Sequence, residues 1–184
     1  MSPVTHFLLG WSVAGTSASL TPRERAAVTL AGVVPDIDGI GVLWDLISRS
    51  GAFSFYQRYH HVFGHNLLFG LLVAAVGLLL GVRKGLVALL MLASFHLHLL
   101  GDIIGSRGQT DDLWAVPYFW PFSSRDHYWT GQWPLNGWQN IVITVLLLAL
   151  TFFWAWKRGY SPLEMVSARA DRAFVQTLRS RFSL

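Results

Sequence analysis

The chain has no cysteine. Disulfides, thiolate ligands and cysteine nucleophiles are excluded, so any bound metal is held by nitrogen and oxygen. Charge is also scarce. Asp, Glu, Lys and Arg supply 13% of the 184 residues, about half of the roughly 25% usual in a soluble domain. What is present instead is apolar: 53% of the residues are hydrophobic and the mean hydropathy is +0.43. This composition describes a membrane protein of one domain. The formal net charge of +4 does not point to nucleic acid, because no basic patch is interleaved with aromatics.

Five apolar runs can be read along the chain: His6 to Leu20, Ala26 to Val34, Asn66 to Val82, Gly85 to Ile104 and Gln139 to Trp156. The last three approach the ~20 residues needed to cross a bilayer. The first two are shorter, carry Gly, Ser and Thr, and read as short or partly re-entrant helices. No Lys or Arg precedes the first run, which reads as a helix and not as a signal peptide. The expectation is an all-α integral membrane bundle of about five hydrophobic helices plus a C-terminal amphipathic helix. Residues 1–158 form the embedded domain and 159–184 the tail.

The basic residues suggest an orientation. If the chain changes sides at each run, Arg23, Arg25, Arg83, Lys84, Lys157, Arg158, Arg169, Arg172, Arg179 and Arg181 share one side. Only Arg49, Arg58, Arg107 and Arg125 fall on the other. The positive-inside rule makes the richer side cytoplasmic. The expected location is therefore the inner membrane, multi-pass, with a cytoplasmic tail. That tail opens with Ser161-Pro162-Leu163-Glu164, a capping-box pattern. Leu163, Val166, Ala170, Phe174, Leu178 and Phe182 follow at helical steps, as on a helix lying on an anionic leaflet. The loop from Gly105 to Trp138 is rich in Trp, Tyr and Phe, which suit a lipid–water interface or a lid over a polar site.

The ionisable residues are not scattered. His6 opens the first run, Asp36 and Asp38 close the second, His60, His61 and His65 precede the third, and His96, His98 and Asp102 lie late in the fourth. In the alternating topology these ends meet on the outward face. Ionisable groups in or beside hydrocarbon are functional candidates by default. Imidazole with carboxylate is the donor set of a divalent metal. His98 and Asp102 are one helical turn apart on one face, whereas His96 points elsewhere. His61 and His65 share a face if their helix starts early; His60 and His65 converge if His60 lies in the preceding loop. Asp36-Ile37-Asp38-Gly39 resembles a metal-binding turn, although helix capping is an ordinary alternative for Asp38. Arg107 and Arg125 are candidates to clamp a phosphate. The Gly77-x-x-x-Gly81 and Gly101-x-x-x-Gly105 spacings suit close helix packing.

Taken in order, Thr5-His6, Pro35-Asp36-Ile37-Asp38, His60 and His65, His98-Leu99-Leu100-Gly101-Asp102 and Trp120-Pro121-Phe122-Ser123 resemble the YdjM-like membrane-bound metal-dependent hydrolase family. The resemblance runs from Met1 to about Trp156. The family's usual His-Arg-x-x-Thr-His-Ser reads His60-His61-Val62-Phe63-Gly64-His65-Asn66 here. The order of ligands is also distantly similar to zinc-dependent phospholipase C and P1-type nucleases, without their C-terminal histidine-rich motif. These resemblances imply His6, Asp36, His60, His65, His98 and Asp102 as ligands of one or two divalent ions, zinc being expected. They further imply Asp38 as a water-orienting group or general base, and His61, Arg107 and Arg125 as substrate contacts. The implied activity is hydrolysis of a phosphoester on a lipid or lipid-linked substrate, with membrane lipids and no nucleic acid as partners. The alternative is a metal-handling or transport protein using the same cluster.

Overall fold

The computed structural model describes residues 1–48, 60–108 and 112–182. Arg49 and Arg58, two of the basic residues assigned to the outward side, lie outside the described residues. The chain is helical, and among the described residues no strand occurs beyond two isolated bridges, Arg107 with Pro134 and Val116 with His127. The helices are α1 (Pro3–Ala14), α2 (Pro22–Ala31), α3 (Gly41–Ser48), α4 (Leu67–Leu80), α5 (Lys84–Gly105), α6 (Trp138–Arg158) and α7 (Ala168–Arg181). 3-10 turns at Val34–Ile40 and Pro162–Met165 precede α3 and α7.

Two helices, α5 and α6, are long and apolar enough to cross a membrane. A third span exists only if α2 and the Val34–Ser48 segment, bent by 53°, count as one. Of the about five hydrophobic helices expected, two are thus full-length candidate spans among the described residues. The third run stops short because Asn66 caps α4, its side chain accepting from the Phe69 N–H, and the chain leaves the helix at Gly81. That gives 14 residues, below the ~20 of a full crossing. The second run bends where Pro35 denies the helix an N–H and disfavours helical geometry before it.

The helices pack through small residues. α4 lies along α5, α1 contacts α2, α5 and α6, and α2 contacts α5. A Cβ on Gly77 would meet the Ala88 backbone at 2.8 Å, and one on Gly10 would meet the Thr29 carbonyl oxygen at 2.5 Å. Neither position admits a side chain without moving a helix. Val28, Val87, Met91, Phe95 and Leu99 fill the interior between them.

A second set of paired charges lies at the end of the bundle away from the histidines. Thr21 and Glu24 form a capping box on α2, and Glu24 also accepts from the Arg83 N–H at 3.1 Å. Arg25 is buried, stacks 3.8 Å over the Tyr160 ring and forms a forked pair with Glu164 at 2.6 and 2.7 Å. This pairing corrects the expected tail. Glu164 is spent on Arg25, and the Ser161 N–H donates to Asp171 at 2.7 Å, so the capping box does not close. Ser161 starts only the short 3-10 turn, and α7 begins at its own cap, Ser167. Phe174 packs against Phe152 and Val175 is buried, while Val166 stays exposed.

Breaking a buried pair strands a charge at a cost of about 3 kcal/mol. Glu164→Ala is therefore expected to release the tail. Amide exchange across Ala168–Arg181 should quicken sharply, and unchanged exchange would show that the pair does not hold it.

Candidate metal centre

Asp36, His65, His98 and Asp102 each bring one donor atom into a group whose atoms all lie within 4.8 Å of one another. They come from the 3-10 turn, the segment before α4, and two successive turns of α5. His65, His98 and Asp102 are buried, and Asp36 keeps a quarter of its side chain exposed.

The tautomers follow from the partners. His98 Nδ1 donates to the Gly32 carbonyl at 2.9 Å, and His65 Nδ1 donates to Asp38 Oδ2 at 3.1 Å. Both Nε2 atoms then face each other at 3.1 Å. Two lone pairs at that distance repel unless a cation lies between them. Asp102 Oδ2 completes the arrangement, 3.0 Å from His98 Nε2 and 3.5 Å from His65 Nε2, and Asp36 Oδ1 is 3.5 Å from His98 Nε2. A tetrahedral ion with bonds of about 2.1 Å sets its ligand atoms about 3.4 Å apart. Asp102 Oδ2 is also buried without a hydrogen-bond partner. The donor set therefore fits a divalent ion by spacing, by chemistry and by its orphaned acceptor.

The remaining expected ligands stand behind this group. His6 Nε2 donates to the other Asp102 oxygen at 3.1 Å, and its ring stacks 3.7 Å from that of His98. Ser106 donates to the same oxygen at 2.8 Å, and the Met1 main-chain nitrogen also reaches it. His60 Nδ1 donates to Asp38 Oδ1 at 2.8 Å, and the Gly64 N–H donates to Asp38 Oδ2 at 3.0 Å. Asp38 thus clamps the whole 60–65 segment. Of the two arrangements open from the sequence, His60 and His65 converge, because the helix starts only at Leu67. Gly64 makes this turn feasible: a Cβ there would stand 2.0 Å from the Pro35 carbonyl oxygen.

A cavity of about 280 Å³ opens over the group, lined by Asp36, Asp102, His60, His61, Ser106, Trp114 and Leu135 among others. His61 is buried with a left-handed backbone (φ 69°), its ring 4.3 Å from Trp114 and 4.1 Å from His65. Burial, and then the neighbouring His65, push its pKa well below the ordinary histidine value. Arg107 and Arg125 do not line the cavity. The Arg107 backbone is pinned to Trp133 and Leu135, and Arg125 is exposed on the loop. His96 is also separate, donating to the Leu92 carbonyl at 2.8 Å and accepting from the Tyr118 hydroxyl at 2.8 Å.

Sequence reasoning missed Ser106, Gly32, Gly64 and Trp114. Ser106 was within reach, since 98, 102 and 106 continue one helical face. The Gly32 carbonyl carries no side-chain signal, and nothing distinguishes Trp114 from its aromatic neighbours.

Burial opposes a charge on His65, but the neighbouring Asp102 and Asp38 carboxylates outweigh it and raise its pKa to about 9. Without metal, His65 therefore carries an extra proton at neutral pH. A metal must displace it, so binding at pH 7 is expected to release about one proton. Calorimetry in buffers of different ionisation enthalpy measures this, and buffer-independent heats would contradict it.

Searches among curated proteins and among solved structures found no match. The similarity of motif order to zinc-dependent phospholipase C and P1-type nucleases gains no support from them. The model of the YdjM inner membrane protein family matches residues 1–175, which takes in the bundle, the centre and half of α7, beyond the Trp156 limit expected from motifs. A match over that length, with the His/Asp group inside it, establishes that the chain belongs to the YdjM inner membrane protein family.

Proposed function

We propose that this protein is a metal-dependent hydrolase acting on a phosphoester of a lipid or lipid-linked substrate. The observation that carries the reading is the pair of Nε2 atoms 3.1 Å apart beneath a cavity. Two imidazoles and two carboxylates match the preferences of zinc. When bound there, a divalent ion polarises a phosphoryl oxygen and lowers the pKa of an attached water to roughly 7.

The chain's own groups divide the remaining work. Asp36, partly exposed, and Asp102 carry the centre into the cavity. Asp38 fixes the tautomers of His60 and His65 from behind, the arrangement in which a carboxylate orients a metal-binding imidazole. Its two oxygens already accept from His60, His65 and Gly64, so positioning is its first role. His60 and His61 line the cavity beside Asp36, where the His61 N–H can meet a phosphoryl oxygen. Among the described residues no arginine or lysine lines it, so the anionic charge that Arg107 and Arg125 were expected to meet would fall to the ion.

The metal-transport reading is less well supported. Beneath the centre the bundle is filled by Val28, Met91, Phe95 and Leu99.

His98→Ala and Asp102→Ala in purified protein are expected to lose bound metal and hydrolysis of lipid phosphoesters together. Full metal content or undiminished hydrolysis in both variants would refute the proposal. Asp38→Asn is expected to weaken metal affinity by about 10- to 100-fold, with turnover recovered at saturating metal. Turnover that stays lost at saturating metal would instead make Asp38 the general base.

A further inference from the structure

The segment from Ile37 to Ile47 is amphipathic in the opposite sense to a helix in water. Its carboxylates point inward: Asp38 is 8% exposed and Asp45 3%. Its large apolar side chains point outward: Ile37, Ile40, Leu43, Trp44, Leu46 and Ile47 are between 52% and 78% exposed. A water-covered helix shows the reverse pattern. A surface of this size without a polar group calls for an apolar covering.

The neighbouring helices say what that covering is. On α5, Leu97 and Leu100 flank the ligand His98, yet they are 36% and 49% exposed. Leu100 lies within a turn of both His98 and Asp102. The outside of the bundle is therefore apolar at the depth of the centre, as hydrocarbon requires. The 37–47 segment is held at that same depth, because Asp36 belongs to the cluster and Asp38 bonds to His65. It also turns aside, forming the second arm of the pair bent by 53°. Finally, it forms one wall of the cavity through Asp36 and Gly39. Leu135, itself 48% exposed, also lines the cavity.

We propose that Ile37–Ile47 lies in the edge of the bilayer's hydrocarbon as an apolar shelf, over which a membrane lipid reaches the cavity sideways, its acyl chains remaining in the bilayer. The shelf's contact with lipid is independent of the chemistry; the lipid as substrate rests on the hydrolase reading above. The partner is a bilayer lipid, and the headgroup end enters between Asp36 and Leu135.

The absence of cysteine makes the test direct, since single cysteines can be labelled without background. Nitroxides at Ile40, Trp44 and Ile47 of the full chain in liposomes are expected to relax with oxygen in preference to a water-soluble nickel chelate. Preference for the chelate would place the segment in water, and protection from both would mean that protein covers it; either result overturns the shelf. In parallel, Ile40→Asp and Ile47→Asp are expected to lower turnover of a bilayer-borne phosphoester by about tenfold, as expected for a charge forced into hydrocarbon. Turnover of a short-chain, water-soluble phosphoester should be unchanged. Equal loss on both substrates overturns the sideways route. Failure of both substrates in the unmodified protein refutes the hydrolase reading and leaves the nitroxide result to decide the shelf alone.

Discussion

The Asp102 carboxylate is the constraint to which the rest of this end of the molecule answers. It is 3% exposed on one of the two helices long enough to cross a membrane. An ionised carboxylate there is costly unless every lone pair is met. One oxygen is met by ordinary donors: His6 of α1, Ser106 just after α5, and the Met1 nitrogen. The other is left to the two histidine Nε2 atoms and whatever cation lies between them. The division separates the groups that brace Asp102 from those whose donor atoms meet in the cluster. It also explains why His6, aligned with the ligands in sequence, supports Asp102 from behind.

The same constraint makes the glycine packing part of the site. His98 faces the centre only because its other nitrogen is held by the Gly32 carbonyl. That carbonyl is within reach because α2 crosses α1 at Gly10 and approaches Ser94, where a Cβ on Gly32 would come within 2.6 Å of the Ser94 hydroxyl. Small residues at a crossing allow backbones to approach in an apolar solvent. Here the approach also sets a tautomer. Helix packing and metal-site geometry are thus one problem, solved by Gly10, Gly32 and Ser94 together.

Features that repeat at a helical period were legible in the sequence. The fourth and fifth runs became α5 and α6 within a few residues of their expected limits, and His98 with Asp102 fell on one face. Features that depend on long-range backbone contacts were not. The 60–65 turn is shaped by Asp38 and by the close passage of Pro35 at Gly64, neither of which has a local signature. The tail was misread for a related reason. Its capping residues were recognised, but Arg25, distant in the chain, takes Glu164, and Asp171, ten residues on, takes the Ser161 N–H. Which of the about five hydrophobic helices span fully was not legible, because hydropathy alone does not register where Pro35 bends a run or where Asn66 begins one.

The donors of the centre come from segments that are otherwise loosely tied together. α3 contacts chiefly the 3-10 turn before it, and that turn meets the bundle through α2 and α5. Within it, Asp38 holds the 60–65 turn. An ion shared by Asp36, His65, His98 and Asp102 would tie both segments to α5 at one point. Ligand sets assembled from separate segments convert metal-binding energy into folding energy. The centre would then be the clasp that fixes the bent 34–48 segment against the bundle as well as the site of chemistry. The cavity wall, the segment's depth and its outward apolar face would all depend on the same four donor atoms.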